Sequence, residues 1–193
     1  MIDKAITFAS SAHKGSYRKG LKQPYIFHPL EVLSLVSLVT DDEDTLCAAV
    51  LHDTVEDTPV TIDDIKKEFN EHIASMVANE SEDKRGNVNK ANTWVDRKKE
   101  AIECLKNTSD RGSKIVALAD KVSNLRSFHM LLLAQGEDAW NNFNMKDPKM
   151  HYWYYNGIKQ ALSDLSDTVI YKEYCSLIDI VFSKYLKESN DEE

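Results

Sequence analysis

Apolar side chains recur at helical spacing along most of this sequence, and the alternation typical of β-strands is scarce. The first predicted helix is amphipathic, spans residues 2–13 and is ended by Gly15. Further helices are predicted at residues 29–38, 62–69, 71–79, 94–106, 114–126, 148–165 and 168–186. The pattern as a whole predicts an all-α fold of roughly nine or ten helices.

One apolar run leads directly into a cluster of ionisable side chains. Residues 46–51 are apolar or small, and His52, Asp53, Glu56 and Asp57 follow them. On a continuing helix, the i, i+4 spacing places His52 beside Glu56 and Asp53 beside Asp57. Since buried charges are costly unless they are paired or bind a metal, this cluster predicts one wall of a metal site. The alternative is an amphipathic helix whose last turn is solvated and whose histidine lies in the core.

A second buried run, at residues 114–126, presents an acidic side chain in the same way. Asp120 follows an apolar stretch, and Asn124 lies one turn later on the same face. Two interpretations stay open for Asp120: a further metal ligand, or a buried ion pair with a lysine or arginine. His28 precedes Pro29 at the predicted start of a buried helix, where it is either a ligand or a structural histidine.

Two further segments bear on a possible ligand pocket. Arg18, Lys19 and Lys22 concentrate positive charge in a loop that precedes His28. Such a loop is ordinarily solvated, but beside a metal site it is also where an anionic substrate would dock. The aromatic run at residues 151–155 is typical of a core or of a helix–helix seam, and a tyrosine facing the pocket is the alternative.

The composition limits the classes of protein to which the chain can belong. With 193 residues, of which 42% are hydrophobic, it can bury the core of one domain, predicted at residues 1–187 with a frayed acidic tail at 188–193. A net charge of −8 disfavours a nucleic-acid polymer as partner but allows a local basic pocket for a small anion. Three widely spaced cysteines disfavour structural disulfides and a thiolate zinc site. The absence of a bilayer-length apolar run predicts a cytoplasmic protein with no membrane partner.

The strings around these residues resemble one family. The order His28, His52-Asp53, Asp120 is similar to the H…HD…D order of the HD-domain metal-dependent phosphohydrolases. The strings PYIFHP, HDTVEDT and LADKVSNLR narrow the resemblance to the hydrolase domain of RelA/SpoT-type proteins and to the stand-alone small alarmone hydrolases. The Glu-Asp pair within HDTVED is the most specific part, because generic HD proteins need not contain it.

This resemblance implies roles for individual residues. Four side chains would hold one divalent metal, for which Mn²⁺ is the expected ion: His28, His52, Asp53 and Asp120. The donor types alone permit several first-row ions. Glu56 and Asp57 would position or activate the attacking water. Five side chains would contact the nucleotide: Arg18, Lys19, Lys84, Asn124 and Tyr155.

The function implied by the resemblance is hydrolysis of the 3′-pyrophosphate of ppGpp or pppGpp, which yields pyrophosphate and GDP or GTP. The expected partner is therefore a small anionic nucleotide. Two alternatives stay open: an HD phosphatase for another nucleotide or for NADPH, and a non-catalytic ligand-binding HD module. The presence of Glu56 and Asp57 disfavours the second alternative, because a binding module has no chemical need of them.

Overall fold

The structure, a computed structural model, describes residues 1–81 and 93–187. These residues form α-helices α1 (Ile2–Ala12), α2 (Phe27–Val36), α3 (Glu43–Leu51), α4 (Thr54–Asp57), α5 (Ile62–Glu68), α6 (Glu71–Glu80), α7 (Trp94–Asn107), α8 (Arg111–Gln135), α9 (Pro148–Ala161) and α10 (Val169–Lys187). Two 3₁₀ helices, Gly136–Asn142 and Ser163–Leu165, accompany them. Within this part of the chain the only β-pairing is an isolated bridge between Tyr17 and Pro24. The predicted all-α fold is confirmed.

The described residues divide into two compact units. The first comprises residues 1–81 and 108–123, and the second comprises residues 93–107 and 124–187. Helix α8 contributes to both, because the division falls after Ser123. The single domain predicted at 1–187 stays a prediction, and the predicted tail at 188–193 lies outside the described residues. No described helix is long and apolar enough to cross a membrane.

Helix α3 is the central element of the first unit. Every residue from Thr45 to Leu51 is buried, so the helix has no solvated face over this stretch and must be surrounded by others. It packs against α1, α2 and α6. Its N-terminus is capped by Asp42, whose carboxylate accepts the Thr45 backbone N–H at 2.8 Å.

The prediction of one continuous helix through residue 57 is wrong. Helix α3 ends at Leu51, His52 and Asp53 form a turn, and the single-turn helix α4 follows. The Thr54 hydroxyl donates to the Leu51 carbonyl at 2.6 Å, a local side-chain bond that competes with the regular helical pattern. The ionisable side chains therefore lie at a junction between two helices.

Helix α2 begins at Phe27, two residues before the predicted start, so His28 lies within its first turn. Pro29 is tolerated there because the first N–H groups of a helix have no intrahelical partner. Helix α8 is longer than predicted and begins at Arg111. A Cβ added to Gly112 would lie 2.7 Å from Thr45 Oγ1 and 2.9 Å from Met76 Sδ. The first turn of α8 therefore closes directly on α3 and α6 within the first unit.

Helix α9 organises the second unit and packs against α7 and α10. An aromatic cluster forms its core, in which the Trp140 ring lies 4.3 Å from Phe128 and 5.1 Å from His151. The Trp140 indole N–H also donates to the Tyr185 hydroxyl at 2.9 Å. His151, the first residue of the aromatic run, therefore packs in a core, as one interpretation of that run expects.

Candidate metal centre

Four side chains from three parts of the first unit converge on one point. His28 Nε2 lies 3.0 Å from Asp120 Oδ1 and 3.3 Å from Asp53 Oδ2. His52 Nε2 lies 3.2 Å from Asp53 Oδ2 and 3.6 Å from Asp120 Oδ1. The two Nε2 atoms are 3.3 Å apart. Helix α2, the α3–α4 junction and helix α8 thus bring together the four predicted ligands.

The outer ring nitrogen of each histidine is held by a hydrogen bond. His52 Nδ1 lies 2.8 Å from the Ala49 carbonyl oxygen, one turn back along α3. A carbonyl can only accept, so Nδ1 carries a hydrogen, and in the neutral imidazole the Nε2 lone pair faces the carboxylates. His28 Nδ1 lies 2.8 Å from Ser123 Oγ. Both Nε2 atoms therefore face the cluster, as metal-ligating imidazoles do.

The spacing of these donors suits a small cation. Neighbouring ligands around an ion bound at about 2.0–2.2 Å are about 3.0–3.5 Å apart. The five donor separations here are 3.0–3.6 Å. Two imidazole nitrogens and two carboxylate oxygens form a donor set that several first-row divalent ions accept. The residues present therefore fit a divalent metal.

The electrostatic field of the cluster is negative. Burial lowers the pKa of His52, but the adjacent carboxylates of Asp53 and Asp120 outweigh burial and hold that pKa well above its usual value. Burial likewise opposes ionisation of Asp53, yet the two histidines hold the pKa of Asp53 well below its usual range. The field that favours a proton on His52 also favours a metal cation between the carboxylates.

Asp120 combines the two roles that its sequence context left open. Its Oδ1 faces the two histidines, while its Oδ2 accepts a hydrogen bond from Lys121 Nζ. Burial opposes the charge of Asp120, but Lys121 and the histidines together hold the pKa of Asp120 well below its usual range. Lys121 Nζ also lies 3.9 Å from Glu80, whose pKa burial raises to about 7. Asp120 is therefore both in an ion pair and in the cluster.

Tyr25 connects the cluster to the predicted catalytic acids. Its hydroxyl lies 2.6 Å from Asp53 Oδ2 and 2.9 Å from Asp57 Oδ2, as the donor to either carboxylate. Burial and these two carboxylates raise the pKa of Tyr25, so the hydroxyl keeps its proton. Asp57 is exposed and Glu56 is half-buried on the one turn of α4. The pair therefore lies one helical turn beyond His52 and Asp53.

The basic loop reaches this centre through the same tyrosine. The Arg18 guanidinium lies over the Tyr25 ring, 5.7 Å from its centroid. The Arg18 backbone N–H donates to the Gln23 carbonyl at 2.9 Å, which closes the loop on itself. Lys19 is exposed in the same loop. The positive charge of Arg18 is thus connected to the Asp53 carboxylate through one residue, Tyr25.

None of the other three predicted substrate contacts belongs to the described part of the first unit. Asn124 and Tyr155 belong to the second unit. The Tyr155 ring packs 5.7 Å from the Phe182 ring, and its carbonyl accepts the Tyr174 hydroxyl at 2.9 Å. Lys84 lies outside the described residues. Substrate roles for all three residues stay predictions.

Sequence reasoning missed four side chains that support the cluster: Tyr25, Glu31, Lys121 and Ser123. Two of them could have been found from helical spacing. Glu31 follows His28 by three residues in α2, and Ser123 follows Asp120 by three residues in α8. Tyr25 had a weaker signal, since it lies within the PYIFHP string but in an irregular segment.

His28, His52 and Asp120 are buried together in a helical unit, and the ligand atoms of these three side chains lie within 4.8 Å of one another. These features define a class of all-α proteins with a candidate divalent metal centre. The chain belongs to the HD-domain family, whose model matches residues 5–140. The predicted family resemblance is confirmed. Family membership and this cluster together indicate a divalent metal.

Comparison with individual proteins gives a consistent result. The chain is 39% identical over 129 residues to the guanosine-3′,5′-bis(diphosphate) 3′-pyrophosphohydrolase MESH1 of Xenopus tropicalis, covering 65% of this chain and 68% of MESH1. It is 29% identical over 182 residues to a GTP pyrophosphokinase of Streptomyces coelicolor, covering 93% of this chain. The chain spans only 21% of the length of that relative.

A similar fold is present in the solved structure of a metazoan ortholog of SpoT, a protein that hydrolyzes ppGpp. The TM-score is 0.73 at 22% sequence identity, and the superposition covers 92% of this chain and 93% of the other. At this identity the likeness establishes the all-α HD fold.

Proposed function

We propose that this protein hydrolyses the 3′-pyrophosphate of guanosine 3′,5′-bis(diphosphate), releasing pyrophosphate and GDP, or GTP from the pentaphosphate. The observation that carries the proposal is the link from the four-donor cluster, through Tyr25, to the acid Asp57. A binding module needs no acid beside its metal ligands, whereas hydrolysis needs a group that handles water. The names of the relatives supply the class of substrate.

His28, His52, Asp53 and Asp120 would hold the metal, which in this proposal is Mn²⁺. Two carboxylates favour a hard ion such as Mn²⁺, and two imidazoles are compatible with it. When bound, such an ion lowers the pKa of water toward neutrality and neutralises phosphate charge.

The protein's own acids supply the proton handling. Glu56 accepts the proton of the attacking water while Tyr25 keeps the Asp57 carboxylate in place beside it. The water oxygen forms a bond to phosphorus as the bond from phosphorus to the ribose 3′-oxygen breaks. That 3′-oxygen takes up the proton that Glu56 accepted, so both acids return to their starting state.

The basic loop provides the nucleotide end of the site. Arg18 already lies over an aromatic ring, and a planar guanidinium can equally stack on a purine base or pair with a phosphate. Lys19 adds a point charge in the same loop. In a chain with a net charge of −8, this local positive charge would attract the anionic nucleotide.

Incubation of the purified protein with Mn²⁺ and a panel of nucleotides, with chromatographic identification of the products, tests the proposal. The panel should contain ppGpp, pppGpp, NADPH and deoxynucleotides, each with and without a chelator. We expect metal-dependent formation of GDP and pyrophosphate from ppGpp. Release of phosphate from NADPH with no turnover of ppGpp would replace the alarmone by a different substrate, and no turnover of any nucleotide would favour a binding module.

The variant Arg18→Ala tests the placement of the nucleotide. We expect kcat/KM for ppGpp to fall by about 10–100-fold, as when a charged hydrogen bond or stacking contact is lost. Metal affinity should not change, because arginine cannot be a ligand. Lys14→Ala, which removes an exposed charge at the end of α1, is the matched control. Wild-type kinetics in Arg18→Ala would contradict this placement.

A further inference from the structure

We propose that Ser123 and Glu31 are positioning residues that orient His28 for metal binding, an inference that rests on the metal-dependent function proposed above. His28 Nδ1 lies 2.8 Å from Ser123 Oγ. The Ser123 hydroxyl in turn lies 2.6 Å from Glu31 Oε2. A continuous chain of hydrogen bonds therefore runs from a carboxylate, through a hydroxyl, to the outer nitrogen of a metal-facing imidazole.

The direction of each of these hydrogen bonds follows from the number of hydrogens that each group carries. The serine hydroxyl has one hydrogen, and an ionised carboxylate can only accept. The Ser123 hydrogen therefore goes to Glu31, and the Ser123 oxygen accepts from His28 Nδ1. With its hydrogen on Nδ1, neutral His28 directs the Nε2 lone pair at Asp53 and Asp120, which lie at 3.3 and 3.0 Å. These hydrogen bonds thus select the His28 tautomer that can bind a metal.

On each of two helices, one member of this hydrogen-bonded series follows a side chain of the cluster by one turn. On α2, Glu31 follows His28 by one turn, and on α8, Ser123 follows Asp120 by one turn. The hydrogen bonds cross between these helices within the first unit, so they fix His28 relative to Asp120 as well as fixing its ring. Ser123 is fully buried and His28 is 3% exposed, so the bond between these two side chains is shielded from water.

The other histidine is supported differently, which makes the proposal testable by mutation. His52 Nδ1 is held by the Ala49 backbone carbonyl, which no side-chain substitution removes. The support of His28 consists of side chains alone and can be removed one group at a time. Outer hydrogen bonds of this kind typically change metal affinity by about 10–100-fold when they are lost.

The test is Mn²⁺ affinity, measured by titration calorimetry on chelator-treated protein without nucleotide. We expect the Kd for Mn²⁺ to rise by about 10–100-fold in Ser123→Ala. Ser34→Ala, which removes an exposed hydroxyl from α2, should bind Mn²⁺ as the wild type does. Thermal unfolding of each metal-free variant shows whether the effect is on folding, because a merely structural serine would lower Tm and leave Kd unchanged.

The role of Glu31 is tested by a double-mutant cycle. Because Glu31 acts through Ser123, Glu31→Ala should weaken Mn²⁺ binding in the wild-type background and have little further effect when Ser123 is already alanine. Additive effects of the two substitutions on Mn²⁺ binding would contradict the hydrogen-bonded link from Glu31 through Ser123 to His28. An unchanged Kd for Mn²⁺ in Ser123→Ala would contradict it as well. Failure of the wild-type protein to bind Mn²⁺ would instead contradict the proposed function. If the Mn²⁺ affinities change as expected but ppGpp is not turned over, the result would support the role of Ser123 and Glu31 and contradict the proposed substrate.

Discussion

Asp53 Oδ2 contacts three side chains at once, lying 3.3 Å from His28 Nε2, 3.2 Å from His52 Nε2 and 2.6 Å from the Tyr25 hydroxyl. Glu56 follows three residues later, on the single turn of α4. The proposed function assigns the two residues different roles, Asp53 as a metal ligand and Glu56 as the group that accepts a proton from water.

 Substitution of Asp53 and of Glu56 can therefore distinguish a metal ligand from a catalytic acid.

Asp53→Ala and Glu56→Ala should separate metal binding from chemistry. Asp53→Ala removes an oxygen that faces both histidines, so we expect loss of both bound metal and turnover. Glu56→Ala should keep the metal and lower kcat by about 10²–10⁴-fold, the usual contribution of general acid–base catalysis. Metal content by mass spectrometry and kcat for ppGpp, measured on both variants, check these expectations. Asp63→Ala, on the first turn of α5, is the matched control, and equal metal loss in the two test variants would make Glu56 a ligand.

His151 should make the stability of the second unit depend on pH. Burial lowers the pKa of His151, although a hydrogen bond to the Met145 carbonyl at 2.9 Å partly opposes burial. The unfolded chain therefore binds a proton at a higher pH than the folded chain does. The stabilisation by neutral His151 is complete above the unfolded pKa of about 6.5 and is lost as the pH falls through the lowered folded value.

Urea unfolding at pH 7.5 and pH 5.5, followed by tryptophan fluorescence, measures this effect. All three tryptophans, Trp94, Trp140 and Trp153, lie in the second unit, so the signal reports on the unit that contains His151. We expect the wild type to lose stability on acidification and His151→Gln to lose less. The same loss in both proteins would exclude His151 as the source.

Helix α2, the α3–α4 junction and helix α8 each bring one part of the cluster to a common point, and close packing fixes their separation. The close approach of α8 to α3 and α6 depends on Gly112, because a Cβ at this position would lie within 3 Å of Thr45 and Met76. Asp120 lies about two turns further along the same helix, so a shift of α8 at Gly112 would also move Asp120. The geometry of the site is therefore coupled to packing at a distance from it.

Gly112→Ala should destabilise the first unit and weaken metal binding together. The Thr45 hydroxyl donates to Asp42 at 2.6 Å, so it cannot move without the loss of that bond. We expect a loss of about 1–3 kcal/mol, typical of overpacking, and a higher Kd for Mn²⁺. Hydrogen exchange of α3 and calorimetric titration measure the two effects. Arg111→Ala, at the exposed neighbouring position, is the control, and unchanged exchange in Gly112→Ala would show that the contact relaxes easily.

On the scale of the whole molecule, the candidate metal centre and the tryptophans belong to different units. All four residues of the cluster lie in the first unit. A ligand that binds only the folded state stabilises it in proportion to the logarithm of its concentration, by about 2.7 kcal/mol at one hundred times Kd. Metal should therefore stabilise the first unit directly.

Hydrogen exchange with and without Mn²⁺ tests this expectation. Amides of α2 and α3 should exchange more slowly when the metal is present, and a chelator should reverse the change. The chelated Asp53→Ala variant is the control, because it should show no response to added metal. Equal exchange of α2 and α3 in the presence and absence of Mn²⁺ would contradict a metal site in the first unit.

The sequence by itself determined the class of fold and most of the helices, because apolar periodicity and capping residues act over a few neighbouring positions. Thr61, for example, directly precedes the helix predicted at residues 62–69, and it caps α5 in a capping box with Asp64. The sequence also identified His28, His52, Asp53 and Asp120 as a group, through their order and the strings around them.

Only the tertiary structure decided how these residues meet. The contact between Tyr25 and Asp53 joins an irregular segment to a helix junction 28 positions away. The hydrogen bond between Ser123 and Glu31 spans 92 positions of the sequence. Local periodicity describes only which face of a helix is apolar, whereas these contacts depend on how helices pack, and packing is set by side chains distant in sequence.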